Sequence, residues 1–128
     1  MDFVTWLVIG GTVAAFLLLK RLMLVGPAAA CDWLKKGAIV IDVRSEGEFQ
    51  ERHLPGAINI PLGQLGKEIA RRAPDKEQPL LLHCLSGARS GMCRRILKQA
   101  GYSHVFNLGS YERAEKILSA PIQAPKRD

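Results

Sequence analysis

Apolar and polar positions divide the chain into one long uninterrupted apolar run and a series of short ones. Phe3 to Leu19, FVTWLVIGGTVAAFLLL, holds no charged residue. Beyond Gly26-Pro27 the pattern changes. Pro27 to Lys36 predicts a short helix, with proline suited to its first turn and Gly37 closing it. Ala38-Ile39-Val40-Ile41-Asp42 is a continuous apolar run ending in a carboxylate, which predicts a buried parallel strand. Ser45 with Glu48 forms a capping box for a short helix through Gln50-Glu51. Pro55-Gly56 marks a turn, and Ala57 to Ile60 a second strand stopped by Pro61.

From Leu62 to Arg72, Leu62, Leu65, Ile69 and Ala70 recur at helical spacing, and Pro74-Asp75 ends the segment. Leu80 to His83 predicts a third strand and Val105 to Leu108 a fourth. Between them Arg89 to Ala100 is the strongest helix, with Met92, Ile96 and Leu97 sharing its apolar face and Gly101 as cap. Glu112 to Leu118 predicts a last helix, and the tail from Ala120 a loose end. Alternating strands and helices argue for an α/β domain with a mainly parallel sheet over residues 26–119, followed by a flexible tail at 120–128. In such sheets ligands bind at the carboxyl ends of strands, where Cys84 stands.

The long N-terminal run changes the picture most. At ~1.5 Å per residue it spans about 25 Å, close to the ~30 Å hydrocarbon core. Trp6 suits one interface and Lys20-Arg21 the other. A signal peptide would place positive charge before the run, where Asp2 stands instead. Ala29-Ala30-Cys31 invites a lipoprotein reading, but lies well beyond Lys20-Arg21. A buried core helix would need a large partner. Residues 1–25 are therefore expected to form a single-pass anchor in the cell membrane. The cations that follow place the domain in the cytoplasm.

The chain carries 18 basic and 12 acidic residues. Without Lys20, Arg21 and Asp2 of the anchor the balance is +5. Arg71-Arg72, Arg94-Arg95 and Lys126-Arg127 are scattered among acidic residues, so the pattern predicts a solvated surface near anionic headgroups and no nucleic-acid partner. Cys31, Cys84 and Cys93 have no zinc-like spacing, which argues against a metal site. They read as reduced thiols.

The stretch HCLSGARS, residues 83–90, carries the candidate chemistry. A thiol becomes a nucleophile as thiolate, which forms where positive potential meets partial exposure. The amides of Leu85 to Ser90 can curl into an anion-binding nest, and the helix that follows points its positive end at it. Gly87 allows the positive φ this needs. Arg89 adds charge and Ser90 a donor. Such a setting lowers a thiol pKa from ~8.5 into the range of about 3.5–7.5. The bland alternative is an inert thiol buried under a helix terminus.

HCLSGARS resembles the active-site loop of the rhodanese family, C-x-x-G-x-R-S. IDVRSEGEFQERHLPGAINIP, residues 41–61, is similar to a second signature of that family, in the same order and separation. With Asn107-Leu108, the resemblance covers about residues 27 to 118. It implies a parallel sheet of about five strands flanked by helices, preceded here by the transmembrane helix. It also implies sulfur transfer in two steps: Cys84 takes a sulfur from thiosulfate or another sulfane donor, then passes it to cyanide, a thiol or a protein acceptor. Leu85, Ser86, Gly87, Ala88, Arg89 and Ser90 would bind substrate, with Arg89 on the donor's oxyanion. No cofactor is implied.

Related phosphatases use a cysteine-x5-arginine loop, one residue longer than the spacing from Cys84 to Arg89. The shorter ring fits sulfur better than phosphate. A docking module without turnover is a further alternative, against which the intact Cys84 and Arg89 count. Asp42 and Arg44 match the family signature, yet suit bracing of a neighbouring loop. His53 suits packing or capping. His83 should point away from Cys84. Cys93 suits a buried helix position. Many family members carry a Gly-Gly and then a tryptophan after the last strand; this chain has Gly109-Ser110-Tyr111-Glu112 and no tryptophan there, which leaves acceptor choice open.

Overall fold

The computed structural model describes residues 1–120; the expected loose tail beyond Ala120 lies outside the described residues. Helix α1, Phe3–Leu22, is followed by α2, Pro27–Lys35. Then come β1, Ile39–Asp42, α3, Glu46–Glu51, and β2, Ile58–Asn59. A 3-10 turn at Leu62–Gln64 leads into α4, Leu65–Arg72, and on to β3, Leu80–His83. Last among the described residues come α5, Ala88–Gln99, β4, Val105–Gly109, and α6, Tyr111–Ser119.

Among the described residues the sheet has four strands in the order β2-β1-β3-β4, all parallel. The family resemblance implied about five. Strand β2 is reduced to two residues, because Pro61 cannot donate to a ladder and the chain turns at once into the 3-10 turn. From β1 the chain moves first to one side, to β2, and then to the other, to β3. The strand order therefore reverses between β1 and β3, and the carboxyl end of β3 lies at that switch point.

Strand β3 is central and fully buried, as its unbroken apolar run requires. Its side chains alternate. Leu80, Leu82 and Cys84 join Ile41, Val43, Cys93 and Leu97 in a cluster with Leu65 and Ile69 of α4. Leu81 joins Val40, Leu108, Tyr111, Ala114 and Ile117 in a second cluster, with Ala30 of α2.

Of the expected apolar face of α5, Leu97 alone is buried. Ser90, Cys93 and Leu97 face the sheet, while Met92 is 57% and Ile96 41% exposed. The small side chains Ser90 and Cys93 set this helix close over the strands. A Cβ on Gly91 would meet Asn107 Nδ2 at 3.4 Å.

Helix α1 is long and apolar enough to cross a membrane, and none of its residues is buried against the domain. It does not end in a free tether. The Val25 N–H donates to the Asn107 carbonyl at 3.0 Å, and Arg113 donates to the carbonyls of Val25 at 2.6 Å and Leu108 at 2.7 Å.

Candidate active site

The loop after β3 folds around the sulfur of Cys84. Two departures from regular structure make this possible. Between β3 and β4 the register slips, so that Leu82 pairs with Asn107 but His83 with Gly109. The extra residue puts Gly109 at φ 93°, and its carbonyl accepts from the Cys84 N–H at 3.2 Å. Gly87 stands at φ 97° as the N-cap of α5. A Cβ there would lie 3.2 Å from Gly109 Cα, so both the dihedral and the close approach call for glycine.

The result is a set of donors aimed at one atom. The Gly87 N–H donates to Cys84 Sγ at 3.0 Å, and Ser90 Oγ stands 3.4 Å away. Burial is the largest single influence on the thiol and pushes its pKa up. The Ser90 hydroxyl and the amides of Ser90, Gly87 and Ser86 together outweigh it, and the pKa of Cys84 falls below the ordinary thiol value. The expectation of partial exposure is not met: Cys84 is fully buried at 0%. Local donors, rather than solvent, surround the sulfur.

Arg89, in the first turn of α5, forms a two-bond ion pair with Glu48 of α3, at 2.7 and 3.1 Å. Glu48 also completes the capping box, accepting from the Ser45 N–H and hydroxyl. The Arg89 guanidinium is the main reason that the Glu48 carboxyl falls to about 2. Leu85, Ser86 and Ala88 complete the loop, with Leu85 52% exposed.

Asp42 and Arg44 are buried together below this end of the sheet. Arg44 grips the Asp42 carboxylate through Nε and Nη2, at 2.8 to 3.0 Å, and donates to the Arg52 carbonyl at 2.6 Å. The Asp42 carboxylate also accepts from the Arg44 N–H at 2.9 Å. This geometry braces the turn into α3. Tyr111, which follows the last strand, is buried. Its ring lies 4.8 Å from the Arg44 guanidinium carbon and 4.0 Å from that of Arg52.

His83 turns away from Cys84 as expected, edge-on to Tyr111 at 5.8 Å between centroids. Burial lowers its pKa. Cys93 is buried, and desolvation pushes its pKa up to about 11, which suits packing rather than redox exchange. His53 stacks on Phe49 at 4.1 Å and bonds the Phe49 carbonyl.

Two residues of the site escaped the sequence reading. Glu48 was visible only as a cap. Asn107 has a larger part: its Oδ1 accepts from Ser90 Oγ at 2.7 Å and from the Gly109 N–H at 2.8 Å, and its Nδ2 donates to the Gly87 carbonyl at 3.2 Å. An asparagine inside an apolar strand run was the available signal, since buried amides need partners.

Residues 27–116 match the Rhodanese-like domain family. The thiosulfate sulfurtransferase PspE of Escherichia coli (strain K12) is 44% identical over 69 residues, covering 54% of this chain and 66% of PspE. The chain thus spans just under two thirds of PspE's length. The thiosulfate sulfurtransferase GlpE of Coxiella burnetii (strain RSA 493 / Nine Mile phase I) is 34% identical over 85 residues, covering 65% of this chain and 78% of GlpE. Among solved structures, a rhodanese with anions from E. coli superposes with a TM-score of 0.57 at 39% identity, over 59% of this chain and 89% of that one. The human single-domain sulfurtransferase TSTD1 does so with a TM-score of 0.61 at 26% identity, over 73% and 96%.

Proposed function

Since the chain belongs to the rhodanese-like domain family, we propose that it is a membrane-anchored sulfurtransferase with Cys84 as sulfur carrier. The observation that carries this reading is the ring of donors on Cys84 Sγ: the Gly87 amide, the Ser90 hydroxyl, and the fields of the Ser86 and Ser90 amides. They stabilise a thiolate, and the same cradle suits the negative sulfur of a persulfide.

In the first step the Cys84 thiolate attacks the outer sulfur of thiosulfate. The S–S bond of the donor breaks, sulfite departs with the electron pair, and Sγ gains one sulfur. In the second step an acceptor thiolate attacks that outer sulfur, takes it as its own persulfide, and restores the Cys84 thiolate. Arg89 meets the donor's oxyanion by exchanging Glu48 for it. The four-residue separation of Cys84 and Arg89 supports sulfur over phosphate chemistry, because the ring of amides is too short to wrap a tetrahedral oxyanion. The exposed apolar surface of α1 supports the anchor, and Lys20-Arg21 at its end supports a cytoplasmic domain.

Intact mass spectrometry of the full chain in mild detergent, before and after thiosulfate, tests the chemistry. The expected result is a gain of one sulfur, reversed by dithiothreitol and absent in Cys84→Ser. No gain with thiosulfate or polysulfide would sink the carrier role and leave a docking module.

A further inference from the structure

Between the last turns of α1 and the first turns of α5 lies a groove of about 670 Å³, within the ~300–1,000 Å³ usual for ligand sites. Phe16, Leu19 and Met23 from the end of the first helix and Met92 from α5 line it. These are large apolar groups left 48 to 65% exposed. The polar part of the groove has one sign of charge. Lys20, Arg95 and Arg113 line it, and among the described residues no aspartate or glutamate does. Among the described residues neither Lys20 nor Arg95 forms an ion pair. Arg113 is already committed to the carbonyls of Val25 and Leu108.

Apolar walls beside unpaired cations fit an amphiphilic anion. The order of residues along α1 says which one. Its uncharged run ends at Leu19 and its first cation is Lys20, so in a spanning helix Phe16 and Leu19 stand at acyl depth and Lys20 at headgroup depth. The groove crosses the same boundary. It is also held in place, because the linker is bonded to β4 at Val25 and a Cβ on Gly109 would meet Leu24 Cδ2 at 3.2 Å.

We infer that the groove between α1 and α5 is a binding site for an anionic phospholipid of the bilayer that holds α1. Its phosphate lies between Lys20 and Arg95, and an acyl chain lies against Phe16, Leu19 and Met92. The inference rests on the anchor part of the proposed function and is independent of the sulfur chemistry. Because Ser86, Gly87 and Ala88 of the Cys84 loop also line the groove, the lipid would border the catalytic cradle.

The test is native mass spectrometry of the full chain released from nanodiscs of equal phosphatidylglycerol and phosphatidylcholine. One retained phosphatidylglycerol is expected, favoured over phosphatidylcholine by about fivefold or more, the weight of one basic residue near an anionic surface. Arg95→Gln should lower that preference about fivefold, and Met92→Asp should abolish retention. Both positions are exposed, so folding is spared. Arg72→Gln, on exposed α4 surface away from the groove, should retain lipid like the parent. No retained lipid, no headgroup preference, or retention unchanged in both variants would overturn the site. A chain that never enters the discs would overturn the anchor and the site together. A gain of sulfur on thiosulfate treatment in the same spectra keeps the Cys84 reading separate from either result.

Discussion

Ser90 carries one hydroxyl proton, and three acceptors surround it: Asn107 Oδ1 at 2.7 Å, the Gly87 carbonyl at 3.2 Å and Cys84 Sγ at 3.4 Å. While the sulfur is a neutral thiol, the short bond to Asn107 wins. Once the sulfur carries charge, a charge-assisted bond competes for the same proton. The hydroxyl is thus a donor that responds to the state of Cys84, whereas the Gly87 amide is fixed. Ser90→Ala should raise the Cys84 pKa, because it removes the side-chain donor and leaves the desolvation that opposes ionisation. Alkylation by iodoacetamide, followed against pH, should show its midpoint shifted upward. An unchanged midpoint would assign the thiolate to the backbone amides alone.

At the scale of elements, the contact between α3 and α5 has a definite pH signature. Glu48 titrates near 2 in the fold, against an ordinary 4.5. A carboxyl with a lowered folded pKa stabilises fully above its unfolded value and loses that contribution as pH falls through the folded one. The Arg89–Glu48 pair should therefore support the fold above pH 4.5 and fade between 4.5 and about 2. Denaturation midpoints across that window should fall less steeply in Glu48→Gln than in the parent. Equal slopes would mean that the pair contributes nothing, a known outcome for ion pairs as solvated as this one. Both partners are about a third exposed, at 36 and 32%, so the effect should be small.

For the molecule as a whole, the junction between α1 and the domain decides whether the Cys84 loop has a set orientation to α1. Arg113 bonds Val25 and Leu108 at once, and the Asn107 carbonyl holds the Val25 amide. The asparagine that positions Ser90 and Gly87 through its side chain thus holds the linker through its backbone. Arg113→Ala should leave the carbonyls of Val25 and Leu108 without this donor and loosen the linker. Hydrogen exchange at the Val25 amide should speed up, while amides within β3 keep their protection. Equal protection at Val25 in parent and variant would show that Leu24 packing suffices.

Much of this was legible in the residues themselves. The apolar runs of β1 and β3, the Ser45–Glu48 cap, the helix after Gly87 and the uncharged stretch of α1 depend on neighbours a few positions away, and local pattern encodes such relations directly. The glycine and serine of HCLSGARS likewise announced a curled loop around a thiol. What tertiary structure alone decided involves partners distant in the chain. Arg89 finds Glu48 41 residues away, Ser90 finds Asn107 17 away, and Arg113 finds Val25 88 away. The buried face of α5 belongs to the same class. Hydrophobicity favoured Met92 and Ile96, but the loop fixed at Cys84 and Gly87 set the helix down on Ser90, Cys93 and Leu97. A helix rotates as one body, so the end that is tied down chooses which residues meet the sheet.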